Sequence, residues 1–349
     1  MHSDVKFFLG ANSNNDFVSY FHQLQDTSVP LQLLILKGGP GSGKSTLMKR
    51  VLAHAQKCGH VLEIIPCASD PLSLDAVIDK TINFAIMDGT APHTLDPLLP
   101  GALHHIMYTG KMWNTAVLSG KKEEIASANT RVGDYHKAAT SYIKAAGALL
   151  KENMRYSERH INKSACTHFV TEALRALEDA PQGSEHTRLL SAVSVGKIES
   201  FPETVSALAD NIFLFDDRWG GAADYIMKAL LFHARLFSLQ VIHCPCSILP
   251  QKTDHLIFPG IKTAFCTGIG NFSFPHASKI ACENLYLPMK DTLPLQTRLD
   301  DALLLLDKAS LSVKEAKLLH DTLEGFYKEA MDFSKADEFF DDILDRFYL

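Results

Sequence analysis

No apolar stretch in this chain approaches the ~20 residues that a membrane-spanning helix needs, so none is expected. The seven cysteines are odd in number and scattered, which does not suit a secreted disulfide framework. Reduced thiols and a cytoplasmic location are therefore expected. Residues 1–15 lack a basic region followed by an apolar one, so no secretory signal is expected either. Basic residues are not in excess, and a net charge of −6 argues against a dedicated nucleic-acid binder. What remains is a soluble globular composition, 46% hydrophobic and 21% charged. At 349 residues it has room for two domains of ordinary size.

One segment carries most of the chemistry. The apolar run Leu33-Leu34-Ile35-Leu36 leads through Lys37 into Gly38-Gly39-Pro40-Gly41-Ser42-Gly43-Lys44-Ser45-Thr46, and Leu47-Met48-Lys49-Arg50-Val51-Leu52-Ala53 follows with helix-forming residues. This is a complete Walker A loop set between a strand and a helix. Its glycines let backbone N–H groups converge on phosphate oxygens, and the helix adds its positive end. Lys44 has the reach for the β- and γ-phosphates, and Ser45 has the hydroxyl for Mg²⁺. The pattern predicts a nucleoside-triphosphate site.

The chain also repeats itself. Moving Met48-Lys49 onto Met227-Lys228, an offset of 179, brings Cys67 onto Cys246, Asp75 onto Asp254 and Gly89 onto Gly268. The offset is 181 near the start and falls to 170 where Lys144-Ala145-Ala146 meets Lys314-Glu315-Ala316. A duplicated unit is expected, with boundaries at 1–180 and 181–349. Each copy reads as a strand (7–11), a helix (17–24), the loop strand and its helix, a strand (61–66), a short helix (72–80) and a strand (82–87). Alternation of this kind predicts an α/β fold: two tandem P-loop NTPase-like units with parallel sheets, each followed by a long helical arm. The arms cover about 113–180 and 295–349. They are expected to pack on each other, or to serve a homodimer or a protein partner, in preference to forming a substrate-binding lid. Pro181-Gln182-Gly183-Ser184 is the expected linker.

Within the first copy, Asp88 ends an apolar strand 44 positions after Lys44, where a Walker B aspartate would face Mg²⁺. Asp70 would lie on the same sheet edge, either to place an attacking water or acceptor hydroxyl, or as the N-cap of a helix after Pro71. His93 is the nearest histidine that could act as general base or phosphate contact. Two absences are informative. Vigorous motor ATPases commonly place a glutamate directly after the Walker B aspartate, and here Gly89 stands there, so slow or partner-stimulated turnover is expected. No guanine-selecting NKxD element is present, so ATP is expected over GTP.

These stretches together resemble a poorly characterised bacterial family of tandem P-loop ATPases. The resemblance is carried by Phe8-Leu9-Gly10-Ala11-Asn12, Lys37-Gly38-Gly39-Pro40, Ser69-Asp70-Pro71-Leu72-Ser73-Leu74-Asp75 and, most specifically, Asp88-Gly89-Thr90-Ala91-Pro92-His93. Leu318-Leu319-His320-Asp321 and Ala330-Met331-Asp332-Phe333-Ser334-Lys335 extend it to the C-terminal part. It implies an ATP-binding protein of two fused P-loop units and names no physiological substrate.

The second copy departs from that pattern. Lys44 falls on Ala223, Ser45 on Asp224 and Asp88 on Thr267, so both the phosphate-binding charge and the metal-binding carboxylate are missing. No triphosphate is expected there, and the copy is read as structural or regulatory, with Arg218 conceivable as an arginine finger. His243-Cys244-Pro245-Cys246 lacks the partners of a tetrahedral zinc site. Three functions follow in order: an Mg²⁺-dependent ATPase, a P-loop kinase acting on a nucleotide or other small molecule, and a non-hydrolysing nucleotide-binding scaffold.

Overall fold

The computed structural model describes residues 4–27, 30–268, 274 and 276–348. The first half contains β1 (Val5–Lys6), β2 (Gly10–Ser13), β3 (Asp16–Ser19), β4 (Gln32–Lys37), α1 (Lys44–Lys57), β5 (Leu62–Pro66), β6 (Leu74–Asp79), β7 (Phe84–Asp88) and β8 (His104–Tyr108). Its arm follows as α2 (Thr115–Gly120), α3 (Lys122–Glu158) and α4 (Lys163–Ala176). The second half contains β9 (Glu185–Thr187), β10 (Ser191–Ser194), β11 (Lys197–Ser200), α5 (Pro202–Leu208), β12 (Asn211–Asp216), α6 (Gly221–Leu236), β13 (Val241–Pro245), β14 (Thr253–Phe258), β15 (Thr263–Cys266) and β16 (Ser278–Ala281). The chain closes with α7 (Leu293–Glu329) and α8 (Ala336–Phe347).

The two halves build the same sheet. The first runs β1-β5-β6-β7-β4-β8 and the second β9-β13-β14-β15-β12-β16, strand for strand in the same order. The sheets are mixed, not parallel, which corrects the expected architecture. Residues 72–80 do not form a helix: Leu74–Asp79 is a strand, buried at every position and antiparallel to both neighbours. Val77 and Ile78 are β-branched and suit a pleated, two-sided position. The N-terminal expectation also changes. In place of the strand expected at 7–11 and the helix expected at 17–24, β2 and β3 pair as a hairpin and only Phe21–Gln25 is helical, as a 3-10 turn. The polar Asn14-Asn15-Asp16 stretch, with Asp16 at φ 67°, makes the turn that the reading missed.

The hairpins join the halves. Phe8 and Leu189, equivalent residues at the offset of 181, exchange backbone hydrogen bonds of 2.8 and 2.9 Å. A pseudo-twofold relation passes between them. Around it Phe7, Leu9, Phe21, Leu33 and Ile35 share one core with Leu190, Phe201, Val205, Ile212 and Ile257. The linker residues 181–184 lie against Gln240 and Ser238, whose backbone groups pair with Pro181 and Gly183.

The arms cross. Helices α3 and α7 are each 37 residues long and antiparallel, with Lys121 beside Glu329 at one end and Asn153 beside Leu295 at the other. Beyond that pair each arm packs on the opposite half. Cys166, Phe169, Ala173 and Leu177 join the core of α6, whereas Phe339, Phe340, Ile343 and Phe347 join that of α1 and β4. The arms thus meet within one chain. Among the described residues no helix is long and apolar enough to cross a membrane.

A buried charge also crosses between the halves. Arg188 pairs with Glu63, which Lys80 holds at 2.9 Å from the other oxygen. Burial would raise the Glu63 carboxyl, but the Arg188 and Lys80 charges outweigh it and hold it well below the usual carboxylate range. The stabilisation is therefore present above the unfolded value of about 4.3 and is lost as pH falls toward the lowered native value. Arg188→Met should cost about 3–5 kcal/mol near neutrality, with a gap to the wild type that narrows on acidification. Urea denaturation across that range checks this, and a pH-independent gap would contradict it.

Candidate phosphate site

Strands β4 and β7 are adjacent and parallel, with Leu36 opposite Asp88, so both C-terminal ends reach the same sheet edge. Between β4 and α1 the chain turns at Gly41 (φ 64°) and Gly43 (φ 79°), a backbone region that a Cβ disfavours. Gly43, the N-cap of α1, has no side chain to accept from its first amide donors. Lys44 is only 8% exposed. Its Nζ donates to the carbonyls of Gly38 (2.9 Å) and Gly39 (2.8 Å) and lies 3.6 Å from Asp88 Oδ2.

The sequence-predicted residues fall into two groups. Gly38, Gly39, Pro40, Gly41, Ser42, Gly43, Lys44, Ser45 and Thr46 form the loop and the start of α1, and Asp88 meets them. Ser45 Oγ accepts from the Leu74 amide (3.1 Å), and Asp88 Oδ1 accepts from the Thr90 amide (2.9 Å) and hydroxyl (2.6 Å). Asp70 sits in the turn before β6. Since no helix follows Pro71, it is not a helix N-cap. Its carboxylate accepts from Leu72 N (3.3 Å) and Ser73 Oγ (3.1 Å), with Lys317 Nζ at 3.4 Å. His93 is buried beside this edge: its Nε2 lies 3.2 Å from Asp75 Oδ2, at the start of the strand next to Asp88, and its ring packs on Phe21 at 4.7 Å.

Other contacts were not foreseen. Lys37 Nζ donates to Gly89 O (2.7 Å) and Leu95 O (3.1 Å), tying the segment after β7 to β4. Thr109 Oγ1, just past β8, lies 2.9 Å from Ser42 Oγ. Helix α7 covers the loop: a Cβ on Gly41 would stand 2.7 Å from Glu324 O, and one on Gly39 3.2 Å from the rings of Trp113 and Tyr327. Thr109 ends a strand at the loop edge, a position legible only once β8 is placed beside β4. Glu324 and Tyr327 lie more than 200 positions from the loop, and no local pattern announces them.

The equivalent place in the second half is filled from within. Ser45 and Asp224 each accept from the amide of the matching strand residue, Leu74 and Thr253, so the offset of 179 holds through this region. Gly220 (φ 81°) then matches Gly41, but α6 begins at once, where the first loop is still turning. Asp217 Oδ1 accepts from the amides of Trp219 (3.1 Å) and Gly220 (2.9 Å), and Oδ2 from that of Ala223 (2.8 Å). The Tyr286 hydroxyl donates to the same carboxylate at 2.8 Å. A fixed anion thus occupies the donors that a phosphate would need. Arg218 is exposed over Trp219, 5.7 Å from the ring centre. Among the described residues no cluster of three or more His, Cys, Asp or Glu is poised to hold a metal, so His243, Cys244 and Cys246 make no such group.

Compared with protein-family models, curated proteins and solved structures, the chain matches none of them.

His93 gives this region a pH signature. Burial would lower its pKa, but the carboxylates of Asp75 and Asp88 outweigh that and raise it. The stabilisation is full below the unfolded value of about 6.5 and is lost as pH rises through the higher native value. His93→Asn should therefore destabilise more at about pH 5.5 than at about pH 8.5. Urea denaturation at both values checks the sign, and an equal cost at both would contradict it.

Proposed function

We propose that the first half binds ATP with Mg²⁺ and hydrolyses it, slowly or under the stimulus of a partner, while the second half binds no triphosphate. The observation that supports this most is the placement of Lys44 Nζ 3.6 Å from Asp88 Oδ2 beneath an uncapped helix N-terminus, at the ends of adjacent parallel strands. Lys44 would exchange its loop carbonyls for the β- and γ-phosphates, at which the open amides of α1 also point. Ser45 and Asp88 offer hydroxyl and carboxylate oxygens, which suit Mg²⁺ because it needs few protein ligands beside waters and phosphates. Bound there, the ion would neutralise phosphate charge and fix the terminal phosphoryl group. The resemblance to tandem P-loop ATPases points the same way.

Slow turnover has a packing rationale. A Cβ on Gly89 would stand 2.2 Å from Ile35 Cγ2 of β4, so a glutamate cannot follow Asp88 without shifting that buried side chain. Among the described residues at that edge, Asp70 is tied to Lys317 and Asp75 to His93, so neither carboxylate is free to orient water. The choice of ATP over GTP rests on the missing NKxD element.

The kinase reading has one observation in its favour. A cavity of about 610 Å³ adjoins Pro40, between the start of α3 and the end of α7, with Ser119, Lys122, Asn129 and Tyr327 in its wall. It has the size for a small acceptor. Phosphate release from ATP, with and without a panel of nucleosides and sugars, separates the readings. The ATPase account expects acceptor-independent release that Lys44→Ala reduces by ~100-fold or more. Release unchanged in that variant would overturn the account, and ADP formation only with an acceptor would favour the kinase.

A further inference from the structure

The two arms end over two different loops, and comparing those ends position by position shows more than the loops alone do. Glu324 stands over Gly41 as Met154 stands over Gly220, and Asp332 and Asn162 begin the next helical segments, so the arms correspond at an offset of 170. In this register Lys317 corresponds to Gly147 and His320 to Leu150. Across from them, at the offset of 179, Asp70 corresponds to Leu249.

The same contact is therefore built twice with opposite chemistry. At the intact loop Lys317 Nζ of α7 reaches Asp70 Oδ2 at 3.4 Å, while Asp321 holds the same ammonium. At the self-filled loop a Cβ on Gly147 would stand 3.5 Å from Leu249 Cδ2, and Leu150 and Leu249 lie in one apolar cluster. An ion pair with no other task would have no reason to vanish from both of its sides together with the lysine, serine and aspartate of the phosphate site. His320 stands in the same place on α7, its Nδ1 3.7 Å from Glu324 Oε1, where Leu150 belongs to the apolar cluster.

We propose that Lys317, carried by the second half's arm, is a positioning residue of the first half's phosphate site, acting through Asp70 on the magnesium-binding serine. The connection is continuous. Asp70 accepts from Leu72 N and Ser73 Oγ and so shapes the turn that ends at Leu74, and the Leu74 amide donates to Ser45 Oγ at 3.1 Å. Lys317 fixes the outer end of that turn to α7. The site is thus composite, with its metal-facing side set by a helix that arrives from the opposite half. Positional errors of about 1 Å at such a place are costly in turnover. This rests on the nucleotide reading of the first loop.

The test measures ATP turnover as a function of Mg²⁺ concentration in the full chain, together with nucleotide affinity without Mg²⁺ and thermal melting. Lys317→Met keeps the aliphatic stem and so limits the packing loss, and Lys317→Arg keeps the charge. Lys317→Met should raise the Mg²⁺ concentration for half-maximal turnover and lower kcat, each by ~10-fold, with metal-free ATP affinity within about threefold of wild type. Lys317→Arg should restore both, a rescue that a purely structural loss would not track. Wild-type Mg²⁺ dependence in Lys317→Met, with Lys44→Ala inactive in parallel, overturns this proposal alone. A wild-type chain that neither binds nor turns over ATP overturns the nucleotide reading and this proposal with it.

Discussion

The antiparallel pairing of α3 and α7 is the constraint on which the rest of the structure depends. Each helix leaves its own sheet, runs 37 residues along the other, and delivers its far end to the opposite half. Ala139, Ile143, Ala146 and Leu150 on one and Ala302, Leu306, Ala309 and Val313 on the other are buried, and the small residues among them let the helices lie close. Because the arms then dock on α6 and α1, neither half can shed its partner without exposing the apolar face of the helix behind its loop. What is written as two consecutive units is physically an exchanged pair.

The two halves share one strand order and differ at the loop before the helix. A helix N-terminus following a strand must satisfy its first amide donors. In the second half Asp217 does so permanently, with Tyr286 pinning the carboxylate and a large cavity of about 840 Å³ left beside it. In the first half no side chain among the described residues takes that place, and Lys44 leans on its own loop carbonyls. One loop is closed by the protein's own carboxylate and the other is not. The covering helices match this division, charged over the open loop and apolar over the closed one.

The loop itself was legible because its chemistry is local: the glycines, Lys44 and Ser45 are consecutive, and Asp88 ends an apolar strand. The repeat was legible because register survives where the core is buried on both sheet faces. The Leu74–Asp79 strand was misread because an apolar run of that length fits helix or strand equally, and only pairing with β5 and β7 decides between them. The hairpin at 10–19 was missed because its turn uses Asn and Asp where glycine would have announced it. Arg188 with Glu63, and Lys317 with Asp70, could not be read at all. They join residues more than 100 positions apart, the first across the junction of the two halves and the second through an arm helix, and no local propensity encodes either.

The central claim is one open phosphate site and one filled by the protein's own carboxylate, and the stoichiometry of nucleotide binding tests it most directly. Calorimetric titration of the full chain with Mg²⁺ and a slowly hydrolysed ATP analogue should give one bound nucleotide per chain, abolished by Lys44→Ala and retained in Asp217→Ala. Two nucleotides per chain, or one that survives Lys44→Ala, would contradict the account.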